Sequence, residues 1–485
     1  MLFPSEEFLF AFLPIVLIGY YGLFRRNVTL KNIWLLISSL AFYAFGEPKY
    51  VLLMVAVILI NYLMGLIIGS YLKKHTDTCK RPPVARFLLI VTVTVNIGIL
   101  AWFKYVGFII DEINRLTSTN IKLPMEIVLP IGISFFTFQA MSYVFDVYSG
   151  KVSAERNPLY VGLYVALFPQ LIAGPIVRYS TVAEAIYGRS ETLELFSEGI
   201  VRFLRGLIKK VIVANNMALI ADAVWEMIVK GRLEASISLA WVGAIAYTFQ
   251  IFFDFSGYSD MAIGLGRMFG FKFEENFNYP YIAGSVTEFF RRWHISLSGW
   301  FRDYIYIPLG GSRKGKGRTF INLFVVWLLT GIWHGANWTF VVWGLIYFAI
   351  LSLEKLGGVK AGKRPLWGHL YTIFVVIIAW VVFRSESLSD ALAYIKGMFG
   401  FGVPILVDKA ALAYIKQNII YFALAILGSL PILPKLNKFI NDESKPKILL
   451  CISNLMYLLI FGAMVIIAIS FIINKAYNPF IYFNF

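Results

Sequence analysis

The stretch LTGIWHGANW, residues 329–338, places a histidine inside an apolar run. That run extends from about residue 320 to residue 353, and His334 lies near its centre. At about 1.5 Å per residue, a helix carries His334 roughly 21 Å from Phe320, well inside a hydrocarbon layer about 30 Å thick. A titratable side chain at that depth is costly to bury and usually has a function. The pattern favours a functional histidine over the alternative, a structural histidine hydrogen-bonded across helices.

The composition of the chain is typical of a multi-pass membrane protein. Hydrophobic residues make up 59% of the 485 positions and charged residues only 15%, as expected where long apolar runs cross a bilayer. The net charge of +16 is also a feature of nucleic-acid-binding proteins, but the basic residues lie mostly in short loops between apolar runs. Such residues set topology and contact anionic lipid head groups. We therefore expect membrane lipid as a partner and no nucleic acid.

The apolar runs predict an all-α transmembrane bundle of about 11–12 spans in a single membrane domain, residues 1–485. They lie at about 8–24, 33–46, 50–72, 87–110, 127–148, 200–220, 236–253, 320–333, 335–353, 369–383, 417–434 and 448–473. Loops rich in basic residues alternate with loops that contain few, so the positive-inside rule places the N-terminus outside. Twelve crossings then place the C-terminus outside too. Residues 160–175 are too short to cross and contain prolines, which predicts a re-entrant or interfacial segment.

The segment between Pro280 and Pro308 has the clearest amphipathic pattern. At about 100° per residue, its charged residues fall within one arc of roughly 120°, and aromatic residues cover the opposite face. We expect one helix lying in the membrane plane on the cytoplasmic side, with His294 at the boundary between the faces. Arg291 and Arg292 are candidates for binding the phosphates of a nucleotide-containing donor. The alternative is that they anchor the helix to anionic lipid.

Two carboxylates adjoin a glycine in FDFSGYSD, residues 253–260. Because carboxylates are costly in lipid, we expect Asp254 and Asp260 to line the inner mouth of a passage through the bundle. His75 and Cys79 share a basic loop with no further ligand nearby. A zinc site needs three or four ligands, so no metal site is expected.

Several motifs together resemble the membrane-bound O-acyltransferase superfamily, and specifically its bacterial alginate O-acetyltransferase-like branch. The most specific are RRWHISLS at residues 291–298 with WFRDY at 300–304, and WHG at 333–335. Others are LPIGISFFTFQ at 129–139, FPQLIAGPI at 168–176 and residues 254–264. The resemblance covers nearly the whole chain, with core motifs at about 127–353. Two such histidine motifs at this spacing are a strong signal, whereas neither alone would be.

The resemblance implies an enzyme that takes an acyl group from a cytoplasmic donor, through a tunnel, to an acceptor reached from outside. It implies that His334 is the catalytic residue and His294 a supporting residue. Trp333 and Asn337, which flank His334, are candidates for lining the tunnel. A buried imidazole stays neutral and able to accept a proton, and a hydroxyl that attacks a thioester needs such a base. Burial also keeps water from hydrolysing the acyl group.

The C-terminal segment, residues 477–485, contains PFIYFNF at 479–485, which resembles a second motif, shared by these acetyltransferases and the small membrane protein of the D-alanylation system. The resemblance implies that Tyr482 carries the acyl group transiently. The alternative is an aromatic anchor at the membrane interface. Five aromatic residues and one isoleucine in this segment are costly to leave in water, so we expect the segment to pack against the protein.

The favoured function is transfer of acetyl groups from acetyl-coenzyme A, a co-substrate, toward an extracytoplasmic polysaccharide, with no cofactor. The resemblance implies a bacterial inner membrane and a secreted or membrane-anchored SGNH-type O-acetyltransferase as the partner that makes the final transfer. Alternatives with the same fold are D-alanyl transfer to teichoic acid and O-acetylation of peptidoglycan or cellulose. A secondary transporter is a distant alternative, because transporters usually show internal repeats and paired broken helices, and the sequence shows neither.

Overall fold

The computed structural model of the chain is built from helices and connecting loops. It describes residues 1–75, 81–123, 127–231, 236–359, 365–401, 405–440 and 446–481. Cys79 and Tyr482, which the sequence singled out, lie outside these ranges. Within them, eight helices are long and apolar enough to cross a membrane, or nine if the bent pair Lys409–Gln417 and Ile419–Ser429 forms one span. The prediction of an all-α, multi-pass membrane protein is confirmed.

Three of the predicted spans fall on apolar runs that form shorter or more charged helices, Glu7–Leu23, Ile133–Ser149 and Gly315–His334. Ile133–Ser149 has 17 residues, fewer than the roughly 20 that cross a hydrocarbon core. Gly315–His334 has 20 residues, but its first turns carry Lys316 and Arg318. The exact number of spans therefore stays a prediction.

Contacts divide the chain into two units, the first formed by residues 1–203 and 261–274 and the second by residues 204–260 and 275–485. The first unit contains α1 (Glu7–Leu23), α2 (Val28–Gly46), α3 (Val51–Lys74), α4 (Pro83–Thr117), α5 (Ile133–Ser149), α6 (Pro158–Ala166), α7 (Phe168–Leu171) and α8 (Tyr179–Tyr187). Two long helices, α9 (Leu193–Val229) and α10 (Ile237–Met268), contribute residues to both units. The single membrane domain over residues 1–485 stays a prediction.

The second unit contains the remaining helices. They are α11 (Val286–Arg292), α12 (Ile295–Phe301), α13 (Gly315–His334), α14 (Trp338–Leu356), α15 (Leu366–Arg384), α16 (Leu388–Met398), α17 (Lys409–Gln417), α18 (Ile419–Ser429), α19 (Ile432–Ile440) and α20 (Lys447–Ile473).

The segment predicted as re-entrant or interfacial is buried in the first unit as α6 and α7. Its irregular backbone finds partners within the protein, as buried backbone must. The N–H of Phe168 donates to Ser39 Oγ at 3.0 Å, and Gln170 Nε2 donates to the carbonyl of Tyr164 at 2.5 Å. The break between the two short helices is thus stabilised by side chains, which explains how proline and glycine are tolerated there.

The second unit places His334 at the last residue of α13. This helix packs against α14, and the two form a hairpin from the apolar runs predicted at 320–333 and 335–353. Small residues permit the close approach, since a Cβ at Gly331 would lie 2.5 Å from the carbonyl oxygen of Phe340. Asn337 caps α14 by accepting a hydrogen bond from the N–H of Thr339 at 3.0 Å. The bend therefore holds His334 in a defined position.

The prediction of one continuous helix between Pro280 and Pro308 is wrong, because α11 and α12 meet at a break. His294 adopts φ 46° and ψ 53°, the left-handed conformation, and so ends one helix and begins the next. The amphipathic period continues through the break, which is why the pattern did not reveal it. Buried Glu354 of α14 accepts hydrogen bonds from the N–H groups of Val286 and Thr287 at 2.7 and 2.8 Å. These bonds fix α11 against the hairpin that carries His334.

Candidate active site

His334 lies in a box of aromatic side chains. Its ring centroid is 5.0 Å from those of Trp333, Trp343 and Phe383, and the residue is only 7% exposed. Walls of this kind exclude water and so protect a reactive acyl group from hydrolysis. The hairpin bend thus holds an imidazole in an apolar and nearly dry environment.

His294 projects from the break between α11 and α12 and is also buried. Its left-handed backbone costs a residue with a Cβ about 1–3 kcal/mol, although histidine and asparagine adopt it more often than most such residues. Burial lowers the pKa of His294 to about 3, so the ring is neutral at physiological pH.

Asn276 holds one edge of the His294 ring. Its Oδ1 atom lies 3.2 Å from His294 Nδ1 and accepts hydrogen bonds from the N–H of Ser296 at 3.2 Å and from Ser296 Oγ at 2.8 Å. Asn276 is fully buried. Among the described residues, none forms a hydrogen bond with the other ring nitrogen, Nε2.

His294 and His334 line one cavity of about 200 Å³. Its apolar walls are Phe290, Trp293, Leu297, Phe301, Leu323, Val326, Trp327 and Trp343, and its other polar residues are Ser298, Arg302, Tyr306 and Thr330. An apolar cavity with a few convergent polar groups is typical of a small-molecule site. The structure thus brings the two predicted histidines together, while their catalytic roles stay predictions.

The other predicted residues near this site do not line the cavity. The Trp333 ring is close to both histidines, with its centroid 6.1 Å from that of His294 and 5.0 Å from that of His334. Asn337 caps α14 and donates to the carbonyl of Glu386 at 2.7 Å, which is a role in shaping the bend.

The two arginines predicted to bind donor phosphates also lie outside the cavity wall. Arg291 is exposed on α11, and Arg292 forms an ion pair with Glu288 at 2.8 Å. Arg302, one of the charged residues of the amphipathic segment, lines the cavity.

Asp254 and Asp260 form ion pairs with two consecutive lysines of α9. Asp260 pairs with Lys209 at 2.7 Å. Asp254 pairs with Lys210 at 2.6 Å, and both of these side chains are almost completely buried. Their lining of a tunnel mouth stays a prediction, but the structure gives Asp254 a second set of contacts.

Those contacts bind the C-terminal segment, residues 477–481. Lys210 Nζ donates to the carbonyl of Pro479, and Asp254 Oδ2 accepts from the N–H of Ile481 at 2.9 Å. The Phe480 ring packs 4.9 Å from that of Tyr258. The prediction that the aromatic segment packs against the protein is confirmed for these residues, the last of which directly precedes Tyr482.

Sequence reasoning missed Asn276, Lys210 and Glu354 as residues that organise the site. A lysine within the apolar run at 200–220 was a signal, because a buried cation needs a carboxylate partner. Glu354 and Asn276 offered no comparable signal. Their partners lie 67 or 68 and 18 or 20 positions away in the chain, and only folding brings them together.

Comparison with known sequences identifies the class of protein. The sequence model of the membrane-bound O-acyltransferase family, MBOAT, matches residues 136–383. That range contains both histidines and every residue that lines the cavity. The chain belongs to the membrane-bound O-acyltransferase family, and it is an acyltransferase of the multi-pass membrane type.

Individual relatives cover most of the chain. "Probable alginate O-acetylase AlgI" of Pseudomonas aeruginosa is 44% identical over 83% of this chain and 75% of its own length. The protein of the same name from Azotobacter vinelandii is 42% identical over 88% of this chain and 84% of its own length. "Peptidoglycan O-acetyltransferase" of Helicobacter pylori is 36% identical, with 82% of this chain and 80% of its own length covered.

Proposed function

We propose that this protein transfers acetyl groups from cytoplasmic acetyl-coenzyme A across the membrane, for O-acetylation of an extracytoplasmic polysaccharide. A secreted or membrane-anchored SGNH-type O-acetyltransferase makes the final transfer. The protein lies in a bacterial inner membrane with both termini outside. Two findings support this proposal: the acyl-transfer chemistry of the family, and the similarity to relatives named as probable alginate O-acetylases.

The observation that carries the proposal is the shared cavity of His294 and His334. Its volume of about 200 Å³ is below the roughly 300–1,000 Å³ typical of sites for drug-sized ligands. A cavity of this size suits the acetyl end of a thioester and an attacking hydroxyl, with the rest of the coenzyme outside it. Its apolar walls support transfer over hydrolysis.

The histidines supply the proton transfers that the reaction needs. His334 accepts the proton of the attacking hydroxyl while the hydroxyl oxygen forms a bond to the thioester carbonyl carbon. The carbon–sulfur bond then breaks, and the coenzyme leaves as a thiol after taking that proton. His294, on the same cavity, supports the step. General base catalysis of this kind typically contributes about 10²–10⁴-fold to the rate.

Tyr482 is the first acyl acceptor in this proposal. The docking of residues 477–481 by Lys210 and Asp254 supports a fixed position for the next residue. A phenol with an unperturbed pKa near 10 is a weak nucleophile, so it needs a neutral imidazole as its base. The ester formed on Tyr482 is then passed to the partner transferase.

A second candidate keeps the chemistry and changes the acceptor or the acyl group. The Helicobacter pylori relative supports peptidoglycan as an alternative acceptor. "Teichoic acid D-alanyltransferase" of Bacillus subtilis is 30% identical over only 53% of this chain, which gives weaker support to D-alanyl transfer. The higher identity and coverage of the alginate O-acetylases favour polysaccharide acetylation.

The proposal is tested by complementation. A bacterium deleted for its own alginate O-acetylase, but retaining its partner transferases, receives the wild-type chain or His334→Ala, and proton NMR measures acetyl groups on the secreted polymer. We expect acetylation with the wild type and none with His334→Ala. His369→Ala is the matched control, because His369 lies on α15 away from the cavity walls. Normal acetylation by His334→Ala contradicts the proposal.

A further inference from the structure

We propose that Asn276 is a positioning residue that holds neutral His294 with its proton on Nδ1, so that Nε2 serves as a hydrogen-bond acceptor in the cavity. This inference rests on the proposed function only for the identity of the group that Nε2 meets. The tautomer itself follows from the contacts of Asn276.

The first step fixes which atom of the Asn276 amide faces the histidine. The backbone N–H of Ser296 can only donate, and it lies 3.2 Å from the same Asn276 atom that lies 3.2 Å from His294 Nδ1. That atom is therefore the amide oxygen, an acceptor. If the amide were reversed, its NH2 group would face the backbone N–H of Ser296, and two donors would meet without an acceptor.

The second step fixes the proton on the imidazole. A neutral imidazole has one N–H and one lone pair. Because Nδ1 faces an oxygen that only accepts, the proton lies on Nδ1. The lone pair then lies on Nε2, which is buried and has no hydrogen-bond partner among the described residues.

His294 lines the cavity, and its Nε2 atom, which is screened by neighbouring side chains, reaches the cavity after a small movement of the ring. A buried acceptor left without a partner costs about 1–3 kcal/mol, and the backbone strain at His294 adds to that cost. Both costs are explained if Nε2 meets a donor that arrives with the substrates. The donor in the proposed reaction is the incoming hydroxyl before its single proton turns to His334, since the thioester carbonyl offers only acceptors.

In this arrangement His294 interacts with the acyl acceptor, which is the hydroxyl, and not with the thioester. With its lone pair on Nε2, the ring accepts the hydrogen bond of the incoming hydroxyl before that proton passes to His334, and it does not donate a hydrogen bond to the developing oxyanion. A triad histidine is oriented by a carboxylate through its Nδ1–H in the same manner; here the neutral amide of Asn276 replaces the carboxylate and leaves the imidazole uncharged.

The tautomer is measured by nitrogen NMR on purified protein with ¹⁵N-labelled histidine. The chain has only 4 histidines, and His294→Asn identifies the His294 signals by their loss. In the wild type we expect a protonated Nδ1 and an unprotonated Nε2. Asn276→Asp keeps the acceptor oxygen and should keep this tautomer, whereas Asn276→Leu should shift the proton partly or wholly to Nε2.

Activity provides the second measurement. Asn276→Leu should lower kcat by about 10-fold or more, within the usual range for proton transfer by a positioned base, with little change in KM because the cavity walls are intact. Asn96→Leu, which removes another buried asparagine from the first unit, is the matched control for the general cost of such a change, and kcat per folded molecule should be unchanged.

Two results would overturn the inference. One is a wild-type His294 with its proton on Nε2, and the other is an Asn276→Leu protein whose His294 tautomer is unchanged. If the NMR result is as expected but the protein fails to transfer acetyl groups, the proposed function fails and the positioning role of Asn276 stands.

Discussion

Breaking the ion pair between Lys210 and Asp254 should release the C-terminal segment from helices α9 and α10, which bind it. The two charged atoms are 2.6 Å apart, and the side chains are 1% and 2% exposed. Removing one partner leaves an uncompensated buried charge, which costs about 3–5 kcal/mol. We therefore expect Asp254→Asn and Lys210→Met each to lower the free energy of unfolding by that amount.

The double variant Asp254→Leu/Lys210→Met separates stability from docking of the segment. Replacing a buried ion pair by apolar residues is often neutral or stabilising by about 1–4 kcal/mol. The same change removes the hydrogen bonds to Pro479 and Ile481. Each bond to a charged group contributes about 1.5–3 kcal/mol, so docking loses about 3–6 kcal/mol. Because about 1.4 kcal/mol changes an equilibrium constant tenfold, the ratio of docked to free segment falls at least about 100-fold.

A cysteine at position 481 reports the docking directly. Ile481→Cys keeps the backbone N–H, and Cys79 and Cys451 are replaced by serine so that only this thiol reacts with maleimide. Labelling should be slow in this background and fast in the double variant. The control is Glu226→Gln/Lys230→Met, an exposed pair at 3.0 Å, which should change neither labelling nor stability measurably. Slow labelling in a folded double variant would refute the reasoning.

Three further predictions follow from the site and the topology. Tyr482→Phe removes only the hydroxyl, so it should fold normally and leave the secreted polymer without acetyl groups; normal acetylation would make Tyr482 an interface anchor. Because the pKa of His294 falls from 6.5 to about 3 on folding, its contribution to stability is present above pH 6.5 and is lost as pH falls toward 3. The His294→Asn variant, whose side chain fits the left-handed backbone, should therefore lose less thermal stability than the wild type as pH falls from 6.5 toward 3. Equal losses in the two proteins would contradict the lowered pKa of His294. Ser312→Cys should be labelled only from the cytoplasm and Asn120→Cys only from outside; the reverse would overturn the proposed orientation.

The helical membrane fold and the hairpin at His334 were predictable because their signals are local. Apolar runs of sufficient length have few structural alternatives in a bilayer, and the glycines around His334 marked the close approach of two helices. Residues 329–338 therefore contain most of the information that places His334 at a buried bend.

The break at His294 was not predictable, because it depends on contacts distant in the chain. The amphipathic pattern between Pro280 and Pro308 is continuous, yet Glu354 fixes the start of α11 and Asn276 fixes the start of α12. The amphipathic pattern predicted His294 at the boundary between the two faces of an in-plane helix, whereas these contacts bury it beside the cavity. The signal was the motif resemblance, which indicated a supporting histidine without indicating its surroundings.

The most direct test of the account measures acetyl transfer by purified protein in sealed vesicles. Acetyl-coenzyme A with a labelled acetyl group is supplied on the side where Ser312→Cys is labelled, and both protein-bound label and released coenzyme thiol are measured. We predict that the wild type and His369→Ala release thiol and gain label, and that His334→Ala does neither. Equal thiol release and label in His334→Ala would contradict acyl transfer at the cavity of His294 and His334.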